Sequence, residues 1–335
     1  MPQDAYAQAG VSQRAADRGV AALVAELSRI ETGRPSRSVP LPGHYASVLR
    51  LDDRTGLALG TDGVGTKMVV AERMRRFETI GIDCVAMNVN DLICVGAEPI
   101  AMLDFILCDS ADPEICGAIG RGLREGAELA GIEIPGGEIA QVGEIVAGYE
   151  LTGTAVGLVD LDRIVTGERA RPGDVVIGVP SSGLHSNGYT LARHALEEIE
   201  LSDSRLGRPL GEILLEPTAI YVRAVLDLLA SKRVDVRGLT HITGDGLNNL
   251  LRLAAPVGFE IDEPLPVPAV FELIAELGGV GDEEMYEVFN MGCGLACVVS
   301  PESEQPACEI LEPHHPGARR IGAVTDRAGE VVRRS

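Results

Sequence analysis

Residues 60–91 read GTDGVGTKMVVAERMRRFETIGIDCVAMNVND, and the reading of this stretch decides the fold. A hydrophobic strand, Gly56-Leu57-Ala58-Leu59, leads into it, so Gly60, Gly63 and Gly65 are expected in a tight strand-to-helix turn. Glycines there let backbone N–H groups face an anion at the start of a helix. Together with Thr61 and Thr66 they form a candidate phosphate cradle. Lys67 adds a compact cation suited to a phosphate oxygen. It is one of only two lysines in a chain with 27 arginines. The alternative is a glycine-rich surface turn with a solvated lysine. The turn is neither a P-loop nor a dinucleotide fingerprint: Thr66 separates Gly65 from Lys67, and the glycines are spaced G-x-x-G-x-G.

The stretch that follows is acidic without balance. From Phe77 to Gly120 there is no lysine or arginine, but there are eight acids, among them Asp83, Asp91 and Asp104. On a helix over 79–96, Ile82, Val85, Val89, Leu92 and Ile93 fall on one side. Asp83, Asn90 and Asp91 share an arc of roughly a quarter-turn on the other, at about 100° per residue. Such an arc is ordinarily a wet face. Asp104 interrupts the apolar run 100–107, where a buried carboxylate must find a partner or a proton. Carboxylates beside a phosphate cradle repel it by roughly 4 kcal/mol per pair at 4 Å. A divalent cation between them removes the conflict, and oxygen ligands with retained waters suit Mg²⁺. These residues therefore point to a Mg²⁺–ATP site, with Asp62, Asp83 and Asp91 as its acids.

Working outward, residues 14–30 have the spacing of an amphipathic helix, and the leading MPQDAYAQAG carries no charged-then-apolar leader. A short strand is expected around Tyr45 to Leu51. Asp112-Pro113-Glu114 opens a helix that Gly131 closes. The strand from Ile132 to Pro135 delivers Gly136-Gly137-Glu138, paired glycines for close backbone approach and a further metal-side or phosphate-side acid. Tyr149 to Leu158 reads as a closely packed strand. The segment between Arg163 and Asp174 is the best linker, giving expected domains of 1–168 and 169–335.

The second half starts with a strand, Val175 to Val179. The turn 180–188, PSSGLHSNG, then places Ser182, Gly183, His185 and Asn187 where an anion is favoured, or simply caps a helix starting near Tyr189. Glu216-Pro217-Thr218 is expected to open a further helix. HITGDG (241–246) and FNMGCG (289–294) form later glycine turns, and EPHHPG (312–317) a surface loop.

A length of 335 residues suits two domains. The net charge of −21 argues against nucleic acid and anionic membrane as partners. No apolar run reaches eighteen residues, so a soluble, cytoplasmic protein is expected. Seven cysteines without C-x-x-C spacing read as free thiols.

GTDGVGTK, IGIDCVAMNVNDLICVGAEP, LDF, GGE, PSSGLHSNGY, HITGDG and FNMGCG, in this order, resemble the phosphoribosylformylglycinamidine cyclo-ligase (AIR synthetase) family from about Asp4 to Ala323. The resemblance implies an α/β fold in two domains. The N-terminal four-stranded sheet would pair with that of a second subunit to close a barrel, and helices would cover the C-terminal sheet. It implies a homodimer with ATP and Mg²⁺, acting on formylglycinamidine ribonucleotide. Asp62, Asp91 and Glu138 would be metal-side or phosphate-side acids, with Asp83 and Asp104 as further members. Lys67 would be a phosphate contact, and His185 with Asn187 a catalytic pair. The chain departs from the family where GHYAS (43–47) replaces a glycine run, where Ile139 replaces a threonine and where Asp245 replaces a glycine. Phosphorylation of another small molecule, or a non-catalytic nucleotide-binding subunit, are the alternative functions.

Overall fold

The computed structural model describes residues 13–334; the start of the matched span, residues 4–12, lies outside them. Six strands build the first sheet: β1 (Ser38–Val39), β2 (Ser47–Arg50), β3 (Thr55–Gly63), β4 (Glu98–Cys108), β5 (Glu133–Gln141) and β6 (Tyr149–Asp160). Their order is β1-β2-β3-β6-β4-β5, antiparallel except for β4 with β5. The four strands implied by the resemblance are thus extended at one edge by the short β1 and β2. In β6, Tyr149, Leu151, Gly153, Ala155, Gly157 and Val159 are buried while their neighbours are more open. This period of two marks a sheet packed on one face.

Two helices, Glu78–Cys94 and Pro113–Ala130, cover that face. The second begins where expected: the Asp112 side chain accepts from the Glu114 N–H at 2.8 Å, and Gly131 closes it at φ 74°. The two helices cross through Gly81 and Gly122, where an added Cβ would overlap the backbone of the other helix. That close approach lets the first helix sit low on the sheet. The opposite face of the sheet is open and carries Leu49, Leu103, Phe105 and Leu158.

The second sheet contains β7 (Val175–Pro180), β8 (Val236–His241), β9 (Gly258–Ile261), β10 (Cys293–Val299), β11 (Arg319–Thr325) and β12 (Val331–Arg333), in the order β12-β9-β11-β7-β10-β8. All of β10 is buried because both of its faces are covered. Leu295, Cys297 and Val299 join the large core that runs through both units. Ala296 and Val298 pack with Phe259, Leu250 and Leu253 in a second, smaller core. Helices Val222–Ala230, Ala269–Gly278 and Glu304–Leu311 supply the covering layer on the first side.

Several local expectations change. The strand β3 continues through Gly60 to Gly63, each residue paired with β6, so only Val64, Gly65 and Thr66 remain as the turn. Gly136-Gly137-Glu138 continues the strand expected to end at Pro135, because Gly136, Gly137 and Glu138 pair with Leu103, Asp104 and Phe105 in β5. Glu216–Thr218 stays outside any helix and the helix starts at Val222, since the backbone of 216–218 is bonded to the first unit. The N-terminal helix Gln13–Leu27 forms, but Val20, Leu23, Val24 and Leu27 along its stripe are exposed. Among the described residues no helix is long and apolar enough to cross a membrane. All seven cysteines are free.

A candidate nucleotide site on the central helix

The helix Glu78–Cys94 is the element on which the site is built. Fourteen of its residues are buried, including Asp83, Asn88 and Asn90. Its polar arc, which amphipathic reasoning places in water, is instead the seam with the second unit. Asn90 donates to the Ala219 carbonyl at 2.8 Å and accepts from the Tyr221 N–H at 3.0 Å. Asp83 Oδ1 accepts from both the N–H and the hydroxyl of Thr218, at 2.7 and 2.6 Å.

Lys67 meets Asp83 at this seam. Its ammonium lies 2.9 and 2.8 Å from the two carboxylate oxygens, and both side chains are fully buried. It also donates to the carbonyls of His185 at 3.1 Å and Glu216 at 2.7 Å. Protein oxygens therefore surround the ammonium, and in this arrangement it presents no surface to a phosphate. Burial lowers the Lys67 pKa, and the Asp83 charge opposes that shift. In place of the phosphate contact expected of Lys67 there is an ion pair within the first unit, tied across the seam by the carbonyls of His185 and Glu216 and by Thr218, and this pair occupies Asp83 in place of a metal.

Asp62 is the penultimate residue of β3. Asn88 holds it from the helix: its Oδ1 accepts from the Asp62 N–H at 3.0 Å, and its Nδ2 donates to the Asp62 carbonyl at 3.2 Å. The Asp62 carboxylate accepts from the Gly63 N–H at 2.7 Å. Burial raises its pKa, the Gly63 N–H pulls it back, and the Asp91 charge raises it further. Asp91, one turn beyond Asn88, is bonded to His241 Nδ1 at 2.8 Å. Its side chain remains 21% exposed whereas His241 is fully buried. Asp104 lies on the same rung as Asp62, with Gly153 between them, so both point to the helix-covered face. Burial raises its pKa also. Glu150, on the same side of the β6 pleat as Thr152, accepts from the Gly65 N–H at 3.1 Å at the turn, and burial and then Asp62 raise its pKa.

Glu138 does not join them. It shares a rung with Phe105 and Thr152, which belong to the other face of the sheet, and it is exposed. The pleat alone separates it from Asp104, since successive side chains alternate faces. Gly137 does sit beside Asp104, where an added Cβ would overlap the carboxylate.

The turn 180–188 arrives over the helix from the other unit. His185 is buried at positive φ (62°). Its Nε2 accepts from the N–H groups of Ser182 at 3.2 Å and Ala219 at 3.5 Å. Burial, then His241 and Lys67, pushes its pKa well below the ordinary histidine value. His185 is thus a neutral ring packed beneath Tyr221 and Gly294, out of reach of a substrate in this arrangement. Asn187 is half-buried, with its amide 4.0 Å from Met87 Sδ on the central helix. Ser182 is exposed with its hydroxyl donating to the Pro217 carbonyl, and Gly183 is buried with its carbonyl held by Asn290. Gly65 and Thr66 remain exposed at the mouth, and the Thr66 hydroxyl is 3.2 Å from that of Thr190.

No three His, Cys, Asp or Glu side chains among the described residues converge closely enough to hold a metal ion unaided. Mg²⁺ rarely uses such a cage; it takes one or two carboxylates together with waters and substrate phosphates. Asp62 has no ion-pair partner among the described residues, and His241 is the only one for Asp91. The donor chemistry of Asp62 and Asp91 therefore fits Mg²⁺ carried by a nucleotide. The residues missed by sequence reasoning are His241, Asn88, Asn90, Thr218 and Glu150. NVND already held the signal: at about 100° per residue Asn90 lies about 160° around the helix from Asn88, so the three polar side chains cannot all sit on one wet face.

Two domain families match the chain: AIR synthase related protein, N-terminal domain, over residues 43–159 and its C-terminal domain over 171–335. A phosphoribosylformylglycinamidine cyclo-ligase of Thermococcus gammatolerans is 48% identical over 328 residues, covering 97% of this chain and 96% of the relative. One of Methanothermobacter thermautotrophicus is 46% identical over 333 residues, with the same coverage of 97% and 96%. The crystal structure of hydrogenase maturation protein HypE in complex with ATP has the same fold at a TM-score of 0.64 and 23% identity, covering 85% of this chain and 83% of that one. With relatives this similar along nearly the whole of both sequences, the chain belongs to the phosphoribosylformylglycinamidine cyclo-ligase family.

Proposed function

We propose that the chain catalyses ATP-dependent closure of formylglycinamidine ribonucleotide to aminoimidazole ribonucleotide, a carbon–nitrogen ligation of purine biosynthesis. The reading is carried by family membership that spans both units, at 48% identity over 97% of the chain. In the reaction the formamide oxygen takes the γ-phosphoryl group of ATP, releasing ADP. The amidine nitrogen then attacks the activated carbon, a C–N bond forms, and the C–O bond breaks to release that oxygen as part of phosphate. The nitrogen loses a proton as the ring closes.

The residues suit a reaction in which the protein positions groups and stabilises charge. Asp62 and Asp91 would hold the Mg²⁺ of the nucleotide, which supplies charge neutralisation along the phosphate chain when bound. Gly65 and Thr66 offer the exposed backbone and hydroxyl nearest those acids. Asn187, which reaches the central helix from the second unit, would orient substrate. Asp104 lies on the rung of Asp62 and Glu150 supports the turn at Gly65, whereas Lys67 and His185 would act by holding the two units in register.

A homodimer belongs to this reading. Leu49, Leu103, Phe105 and Leu158 form an exposed apolar strip on one face of the first sheet. Such a strip suits pairing with the same face of a second copy. A cytoplasmic location suits the seven free cysteines.

The test is incubation with formylglycinamidine ribonucleotide, ATP and Mg²⁺. Aminoimidazole ribonucleotide, ADP and phosphate should appear in equal amounts. A stable phosphorylated product without free phosphate would make the chain a kinase, and ATP binding without turnover would make it a non-catalytic subunit.

A further inference from the structure

The contact between Asp91 and His241 crosses from one unit to the other. Asp91 lies on the central helix of the first unit, and His241 is the last residue of β8 in the second. The ring is fully buried, and its Nδ1 is 2.8 Å from Asp91 Oδ1. A carboxylate oxygen accepts, so Nδ1 carries the proton. Nε2 is then the acceptor for the Asn90 amide at 3.5 Å. The backbone of His241 is fixed as well, since its carbonyl accepts from the Tyr45 hydroxyl at 2.9 Å.

The pair occupies one oxygen of Asp91 and leaves the other. Among the described residues no protein group donates to Asp91 Oδ2, although the side chain is 21% exposed at the corner shared with Asp62. Asp62 is held in the same way, with its backbone clamped by Asn88 and one carboxylate oxygen on the Gly63 N–H. Each acid thus has one oxygen fixed and one free.

We infer that His241 is a positioning residue, which fixes Asp91 from across the unit boundary so that its free oxygen and that of Asp62 face one divalent cation. The corner is therefore complete only when the two units are docked. This inference rests on the proposed Mg²⁺–nucleotide reading of Asp62 and Asp91. Partners that hydrogen-bond ligating carboxylates are worth about tenfold to a hundredfold in metal affinity.

The experiment measures Mn²⁺ affinity by electron paramagnetic resonance on the full chain with the β,γ-imido analogue of ATP, so no turnover is needed. His241→Ala should weaken Mn²⁺ binding by about tenfold to a hundredfold. His241→Asn, whose amide N–H takes the place of Nδ1, should recover most of the loss. His241→Gln, which carries its amide one bond farther out, should not. Mn²⁺ affinity unchanged in His241→Ala overturns the inference, as does an equal loss in the Asn and Gln variants. The Asn and Gln comparison decides the matter if the Ala variant does not fold. Asp91→Asn separates the two layers. If Asp91→Asn binds Mn²⁺ like wild type, the metal reading of the corner falls and this inference with it. If Asp91→Asn loses Mn²⁺ while His241→Ala keeps it, only the positioning role falls.

Discussion

Asp83 and Asp91 lie on the same helix and face the same neighbouring unit, yet their surroundings make them different groups. Asp83 is sealed, with Lys67 on its carboxylate and both donors of Thr218 on one oxygen. Asp91 keeps part of its surface and has only a histidine on one oxygen, with the acid Asp62 nearby. In the first case the protein supplies the countercharge itself and gains a joint. In the second it leaves the countercharge to whatever binds. Two acids that read alike in sequence are thus separated by where the one nearby lysine goes.

The comparison breaks most visibly at the joint. Removing one partner of a buried pair strands the other charge, at a cost of about 3–5 kcal/mol. Lys67→Met should therefore lower the urea midpoint strongly, and a second change, Asp83→Leu, should restore part of the loss. A Lys67→Met protein with wild-type stability and no ATP affinity would return Lys67 to the phosphate. At the open corner the signature is reversed. Asp62→Asn and Asp91→Asn should each weaken Mg²⁺–nucleotide binding by about a hundredfold, equivalent to about 2.7 kcal/mol. Stability should hold or rise, because uncompensated acids repel. Calorimetry beside a melting curve reads both.

A smaller effect concerns pH. His44 is largely buried, and burial first, then Arg252, lowers its pKa to about 4. The ring is neutral when folded, whereas the unfolded chain protonates it near 6.5. Between those values the unfolded state binds more protons, so stability falls as pH drops from about 6.5 to about 4, by up to about 1.4 kcal/mol per pH unit. His44→Gln should flatten that part of the curve relative to wild type; parallel curves would show that the ring is not buried neutral. The smallest effect is at Glu138. Glu138→Gln should change Mg²⁺–nucleotide affinity by less than about twofold, since the pleat turns it from the corner. A loss as large as that of Asp91→Asn would place Glu138 in the site.

Much of the fold was legible because it depends on local rules. Asp112, Pro113 and Gly131 mark the ends of their helix through capping, and the alternation in β6 follows from one buried sheet face. The candidate site was legible only as a set of residues. The period of β5 and the rungs Asp62–Gly153–Asp104 and Glu138–Phe105 decide which acids share a face, and register is a property of paired strands. Lys67 looked like a phosphate ligand because its neighbours in sequence are glycines. Its neighbours in space, His185 and Glu216, lie more than a hundred residues away. His241 was invisible as a functional residue for the same reason, since its partner Asp91 is 150 residues distant.

The most direct test of the division between the two acids is a crystal structure of the chain with Mg²⁺ and the β,γ-imido analogue of ATP. Mg²⁺ should be ligated by the free oxygens of Asp62 and Asp91 together with phosphate oxygens, while the Lys67 ammonium stays on Asp83. A structure with the Lys67 ammonium on a phosphate, and with neither Asp62 nor Asp91 on the metal, would contradict it.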